Sequence, residues 1–164
     1  MTSTKSWQSY ETLCSAMERN DIHYERDDDN LCVKCSVSGE DIQINFAFVI
    51  NPSKMLITLY SPIPVKVRKE KSADIAIAVC MINTSLTDGG FCFDTSDGSV
   101  FFKMTSSFCD TNVTEELFEY MLSVAADTID DYFRKIKHIA LSEQPYSDSE
   151  NTSVELAKYF AARK

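Results

Sequence analysis

The stretch that decides the fold is Ile42-Gln43-Ile44-Asn45-Phe46-Ala47-Phe48-Val49-Ile50. Every second residue in it is large and apolar, and the residues between them are smaller or polar. Successive side chains of a β-strand point to opposite faces of its sheet, so this alternation predicts a strand with one buried face. We therefore expect a sheet that is covered on one side.

Further strands are predicted on both sides of this stretch. Residues 31–37 and 55–60 continue the alternation, and each is separated from residues 42–50 by a short polar turn. A charged turn at 27–30 would close a further short strand over residues 23–26. The predicted order of elements counts three consecutive strands in this half of the chain.

The second half of the chain predicts one more pair of strands. Residues 61–65 contain prolines at 62 and 64. Because proline disfavours helix in the residue before it, this segment is predicted to be an extended crossover. Two alternating runs, 91–94 and 100–104, flank the turn Thr95-Ser96-Asp97-Gly98, which predicts a β-hairpin. The sheet is therefore predicted to have five antiparallel strands.

Apolar residues at spacings of three and four predict the helices. They cover residues 5–20, 75–86 and 114–141, and the second is expected to stop at Asp88-Gly89-Gly90. The predicted fold class is α+β, in the order α-βββ-α-ββ-α, with the helices packed on one face of the sheet. We expect one domain over residues 1–141.

Two segments follow this domain. Residues 142–150 are polar and acidic and are predicted to be a linker. Thr152 and Glu155 have the spacing of a capping box, so residues 151–164 are predicted to form a short appended helix.

Charge and composition exclude several classes of protein. The chain has 164 residues and a formal net charge of −9, which disfavours nucleic acid and anionic membranes as partners. No stretch approaches the roughly 18 apolar residues of a membrane helix, and residues 1–8 lack the apolar segment of a secretory signal. A cytoplasmic location is expected, with free thiols at Cys14, Cys32, Cys35, Cys80, Cys92 and Cys109.

No motif for catalysis or metal binding is found. His23 and His138 have no neighbours that would make them ligands or bases. Cys32 and Cys35 have the CxxC spacing, but strand alternation directs them to opposite faces, whereas a metal or redox pair must converge. The run Asp27-Asp28-Asp29 lacks the alternating spacing of a calcium loop. We expect no cofactor, no metal and no enzymatic activity.

The face of the sheet opposite the helices carries an apolar enclave. Val49, Leu56, Tyr60 and Phe101 are predicted to lie there among polar residues. An exposed apolar patch is typical of a protein-binding surface, which favours a non-enzymatic binding module of the chaperone-like or adaptor class. Scattered surface apolar residues or the seam of a homodimer would give the same pattern.

A second class of function stays open at this point. A small-molecule-sensing regulator or an enzyme would need a pocket between the sheet and a helix, with Asn83 and Asp94 as candidate ligand contacts. Asn83 could instead satisfy backbone groups near Asp88 and Gly89, as a partly buried amide commonly does.

Four segments resemble the bacterial YbjN family. They are Ile82-Asn83-Thr84, Gly89-Gly90-Phe91-Cys92-Phe93-Asp94, Asp97-Gly98-Ser99-Val100-Phe101-Phe102 and Thr114-Glu115-Glu116-Leu117. Members of the family are similar in this region, with an asparagine in the second helix, an aromatic strand, an Asp-Gly turn and a capped long helix. The chain departs from the family pattern after Ser142, where the polar linker and the appended helix begin.

The resemblance implies a fold like that of class I type III secretion chaperones. Those are small acidic proteins that commonly dimerise and hold unfolded segments of client proteins. It also implies the family label of sensory transduction regulator, and it supplies no catalytic residues. A homodimer is therefore expected, with Ile75, Val79 and Ile82 of the second helix as candidate contacts.

Overall fold

The computed structural model describes residues 4–144. The predicted helix at 151–164 and most of the linker at 142–150 lie outside the described residues, so the predicted domain boundary stays a prediction. The elements are α1 Thr4–Arg19, β1 Tyr24–Asp27, β2 Cys32–Ser38, β3 Gln43–Asn51, β4 Leu56–Lys66, a 3-10 turn Lys69–Lys71, α2 Ser72–Ser85, β5 Gly90–Asp94, β6 Ser99–Ser107 and α3 Glu115–Leu141.

The sheet has six strands in the order β1-β2-β3-β4-β6-β5, and all neighbours are antiparallel. The prediction of an α+β fold with an antiparallel sheet is confirmed, and the count of five strands was wrong. The additional strand is β1, which pairs with β2 so that Arg26 lies opposite Val33. Its four residues are Tyr-Glu-Arg-Asp, so the alternation was too short and too polar to be counted.

The predicted crossover at 61–65 was also wrong, because these residues belong to β4. They pair with β6 from Ser61 to Ile63, and a register shift lies between Ile63 and Lys66. Proline excludes helix but is compatible with a strand wherever no ladder partner needs its missing N–H. The pairing of β3 with β4 ends at Ala47 and Tyr60, two residues before Pro62.

The second helix ends earlier than the glycines predicted. Its last residue is Ser85, and Leu86 is already extended, with ψ at 138°. Gly89 has a φ of 67° in the turn that leads into β5. A Cβ at this position would lie 2.4 Å from Cζ of Phe102, so both the dihedral and the close approach require glycine.

The core lies between one face of the sheet and the three helices. α1 packs on β2 and β3, and α3 packs on β4 and β6, while α2 packs on β5 and α3. Phe48 of β3 and Phe118 of α3 are fully buried and meet edge to face at 5.8 Å. The predicted covered face is confirmed on the three long strands by Ile44, Phe46, Phe48, Ile50, Ile57, Leu59, Val100, Phe102 and Met104.

Polar contacts fix α3 to the turn between β2 and β3. The backbone N–H of Glu40 donates to both carboxylate oxygens of Asp130, at 2.9 and 3.0 Å. A Cβ on Gly39 would lie 2.5 Å from the same carboxylate. Arg134, one helical turn further along, pairs with Asp41. These contacts align α3 over the sheet in addition to its apolar packing.

Gly98→Ala should destabilise the fold by about 1–3 kcal/mol, because the residue has a φ of 75° that alanine adopts only with strain. An added Cβ would also lie 2.4 Å from the carbonyl oxygen of Val67, whose N–H donates to the Gly98 oxygen. Chemical denaturation measures the change. Thr95→Ala, an exposed position in the same turn, is the control and should leave stability unchanged; equal stability of both variants would contradict the prediction.

Candidate protein-binding surface

The open face is the side of the sheet that faces away from α1 and α3. Alternation places the residues between the buried ones on this side. The pairing registers set Lys34, Ala47, Tyr60 and Lys103 side by side across four strands. The open face therefore combines two cations with an aromatic ring and a small apolar residue in one row.

All four candidate binding residues lie on the open face. The rings of Tyr60 and Phe101 are in contact, with centroids 6.3 Å apart, and Nζ of Lys103 lies 5.6 Å from the Tyr60 centroid. Tyr60 is 36% exposed, while Val49, Leu56 and Phe101 are half-buried. The sequence thus identified the residues of this face, and the structure brings two of them into direct ring contact.

A hollow of about 850 Å³ adjoins the aromatic pair. It is lined by residues 21–25, 34–36, 43, 45–47 and 62. It forms where the sheet divides, because residues 43–46 pair with β2 alone and residues 61–66 pair with β6 alone. Ala47 and Pro62 line the hollow, and Tyr60 is the direct strand partner of Ala47.

The hollow has a largely apolar surface into which several polar side chains are set. Oγ of Ser36 donates to Oδ1 of Asn45 at 2.6 Å, and Asp21, Glu25 and Lys34 add charges of both signs. Such a hollow offers hydrogen-bonding groups to a ligand with a polar backbone. Sequence reasoning missed it, because it depends on β1 and on the point at which β3 and β4 separate. Pro62 and Pro64 were the available sequence signal, because a proline lacks the N–H that would continue the pairing of β4 with β3.

The side chain of Asn83 is committed to the backbone of the edge strand β5. Its amide nitrogen donates to the carbonyl oxygen of Phe91, and its oxygen accepts from the Phe91 N–H, both at 2.9 Å. The predicted backbone role of Asn83 is confirmed. Because both polar atoms are engaged, Asn83 does not contact a ligand in this arrangement, which corrects its assignment to a ligand pocket.

Asp94 does not converge with Asn83. It is exposed at the end of β5 and accepts hydrogen bonds from the hydroxyl and backbone N–H of Ser96, at 2.6 and 2.8 Å. These bonds hold the pKa of the Asp94 carboxyl below its usual value. Asp94 therefore stabilises the turn between β5 and β6, and the pair predicted for a small-molecule site is not brought together.

The candidate dimer contacts lie inside the protein. Ile75, Val79 and Ile82 are 0%, 7% and 2% exposed, on the side of α2 that packs on β5 and α3. This burial corrects their assignment as dimer contacts, because a second copy cannot reach them while one chain stays folded. The homodimer itself stays a prediction.

The aspartate run is a structural turn. Arg26 donates to Asp28 at 2.7 Å and to Glu11 at 2.9 Å, and the Tyr10 hydroxyl also donates to Asp28. The pKa of Asp28 lies below its usual value, mainly because of the Arg26 guanidinium. Asp27 is turned to Asn30 instead. These contacts tie the β1–β2 turn to α1.

The remaining candidates for chemistry are also dispersed. His23 and His138 are both exposed. Cys32 and Cys35 are buried free thiols on opposite faces of β2, and burial raises the pKa of Cys35 to about 11. Over residues 4–144, no group of three His, Cys, Asp or Glu side chains is placed to hold a metal ion. None of the helices described is both long and apolar enough to cross a membrane.

Comparison with known proteins gives a family. The model of the YbjN family, described as "Putative bacterial sensory transduction regulator", matches residues 9–138. The chain belongs to the YbjN family. This match includes every strand and most of α1 and α3. Among curated proteins, no sequence matches the chain significantly.

Three solved structures share the fold. A chain of the ExsC-ExsE complex is 16% identical with a TM-score of 0.60, and the alignment covers 80% of this chain and 96% of that one. A chain of the HopA1-SchA chaperone-effector complex is 8% identical with a TM-score of 0.57, covering 84% and 99%. YbjN from E. coli is 12% identical with a TM-score of 0.55, covering 77% and 92%.

Asn83→Ala should destabilise the fold by about 1–3 kcal/mol, because it removes both hydrogen bonds to the part-buried backbone of Phe91. Thermal and urea unfolding measure the loss. Ser85→Ala, an exposed position in the last turn of the same helix, is the matched control and should be neutral. An Asn83→Ala variant as stable as this control would show that the bonds to Phe91 contribute nothing.

Proposed function

We propose that this member of the YbjN family is a non-enzymatic protein-binding module, chaperone-like or adaptor in kind, that holds a segment of a partner protein on its open face. The observation that carries the proposal is the Tyr60–Phe101 pair beside the divided part of the sheet. Aromatic side chains next to a hollow are typical anchors of protein interfaces.

An extended segment is the form of partner that this surface suits. Where residues 43–46 and 61–66 separate, each strand has a ladder neighbour on one side only. A peptide in extended conformation supplies N–H and C=O groups at the spacing of a strand, and its alternate side chains reach toward Tyr60 and Phe101. The net charge of −9 favours a basic partner over an acidic one.

The comparisons support a protein partner. Two of the similar structures are complexes, and one of them is described as a chaperone with its effector. At 16% and 8% identity they show the fold alone, so binding by this chain rests on its own open face. The identity of the partner and its pathway are for the capture experiment below to determine.

Tyr60→Asp or Phe101→Asp should reduce capture of the partner by a factor of about 30 or more. Each variant replaces an aromatic anchor by a carboxylate, which the partner could cover only at the cost of removing the charge from water. Loss of an interface hot spot typically costs about 2 kcal/mol or more of binding free energy. The measurement is affinity capture from a native lysate with the full chain immobilised. Mass spectrometry then quantifies proteins that wild type retains in stoichiometric amount.

Ser123→Asp is the control for this experiment. It places the same charge at an exposed position on α3, in the helix layer. Wild-type capture is expected for this variant, and cooperative unfolding above the capture temperature shows that all three variants are folded. Equal capture by Tyr60→Asp, Phe101→Asp and wild type would refute binding at the open face.

A homodimer is also proposed, from the family membership. Light scattering at micromolar concentration should give a particle of twice the 18.5 kDa chain mass. Because Ile75, Val79 and Ile82 are buried within one chain, Val79→Ala should lower stability without changing the particle mass of the folded fraction. A strict 18.5 kDa particle across the concentration range would rule the dimer out.

A further inference from the structure

The outer side of α2 is apolar, like its inner side. Ala73, Ala76, Ile77 and Cys80 are exposed there, and Ile77 has 53% of its surface accessible. A helix that is apolar all round is ordinarily covered on both sides, since its outer face otherwise leaves hydrophobic surface in water. Covering the outer side of α2 would therefore remove apolar surface from water.

The described part of the chain ends beside this helix. Lys71, the residue that precedes α2, is only 6% exposed, and its ammonium group donates to the carbonyl oxygen of Gln144. The same ammonium pairs with Asp74 at 2.8 Å. These contacts hold the chain that leaves α3 against the N-terminal end of α2. The segment after Gln144 therefore starts next to the apolar outer side.

The charges on the two sides are complementary. Lys66, Arg68 and Lys69 are exposed in the segment before α2, in a chain whose net charge is −9. Lys66 also pairs with Asp97 at 3.5 Å, and Glu70 is exposed in the same segment, so Arg68 and Lys69 carry most of its positive charge. The segment that starts beside them is acidic, with Glu143, Asp148 and Glu150 and no basic residue from 142 to 150. Opposite charges attract, so this composition favours contact between the two segments.

The sequence after the linker has an apolar side of matching length. If residues 152–164 are helical, Val154, Leu156, Ala157, Phe160 and Ala161 fall on one side, and Glu155, Lys158 and Ala162 fall on the other. Such a helix is about 20 Å long, and α2, with 14 residues, is about 21 Å long. The seven residues 145–151 span up to about 25 Å, which is enough for the two to lie side by side.

We propose that residues 145–164 fold back on their own chain, with the acidic segment over the basic residues 66–69 and the apolar side of 152–164 on the outer side of α2. The contact covers Ile77 and Cys80 within one molecule. It leaves the open face accessible, so it is independent of the binding function proposed above. A homodimer then uses a surface other than the outer side of α2.

Cys80 provides a direct test in the full chain, because its thiol lies on the proposed contact. The measurement is the rate of alkylation by N-ethylmaleimide, followed for each cysteine by mass spectrometry. Phe160→Asp should accelerate modification of Cys80 about tenfold, since the loss of one buried phenylalanine weakens docking by at least that factor. Cys109, which is exposed two residues after the end of β6, is the internal reference, and its rate should be unchanged.

Ala162→Asp is the matched control, with the same charge on the other side of the same segment, and it should leave the Cys80 rate at the wild-type value. Continued protection of the buried Cys14 and Cys35 shows that each variant is folded.

In wild type, the rate of Cys80 modification should not change when the protein is diluted. Equal Cys80 rates in wild type and Phe160→Asp would overturn the proposal. Protection that disappears on dilution would assign the surface to a second copy instead.

Discussion

Phe48 of β3 meets Phe118 of α3 edge to face, and this contact joins the sheet to the helix layer. Both rings are fully buried. A shift of β3 by one residue would place Ala47 and Val49 on the covered face and leave the large apolar residues in water. The register of the sheet is therefore fixed by burial. Because Phe48 lies opposite Leu59, Tyr60 must point to the other side.

The same constraint determines which surface is left for binding. Once α1 and α3 cover one face, the residues between the buried ones form the open face, and Tyr60 and Phe101 meet there. Pro62 lies two residues beyond the end of the β3–β4 ladder at Tyr60, and proline has no N–H to continue it. The hollow arises from the resulting separation of the strands. The arrangement of the sheet thus determines both where the candidate site lies and what shape it has.

The other surfaces of the sheet are satisfied internally. The side chain of Asn83 binds the free backbone groups of Phe91 on the outer edge of β5. The opposite edge is β1, a strand of four mostly charged residues. Both features hinder pairing of the sheet with another chain. Two apolar surfaces outside the core are the open face and the outer side of α2. These two lie on different parts of the molecule, so the partner proposed for the first and the C-terminal segment proposed for the second do not compete.

The sequence by itself determined the α+β class, the register of residues 42–50 and the four residues of the open face, because local alternation and helical spacing are properties of the chain alone. The role of Asn83 was also recognised from its position near Gly89. Only tertiary structure decided that Tyr24–Asp27 joins the sheet and that the proline segment extends β4, since both depend on neighbouring strands. Burial of Ile75, Val79 and Ile82 was likewise decided by packing, because a helix that is apolar on both sides carries no sequence signal for which side faces the core.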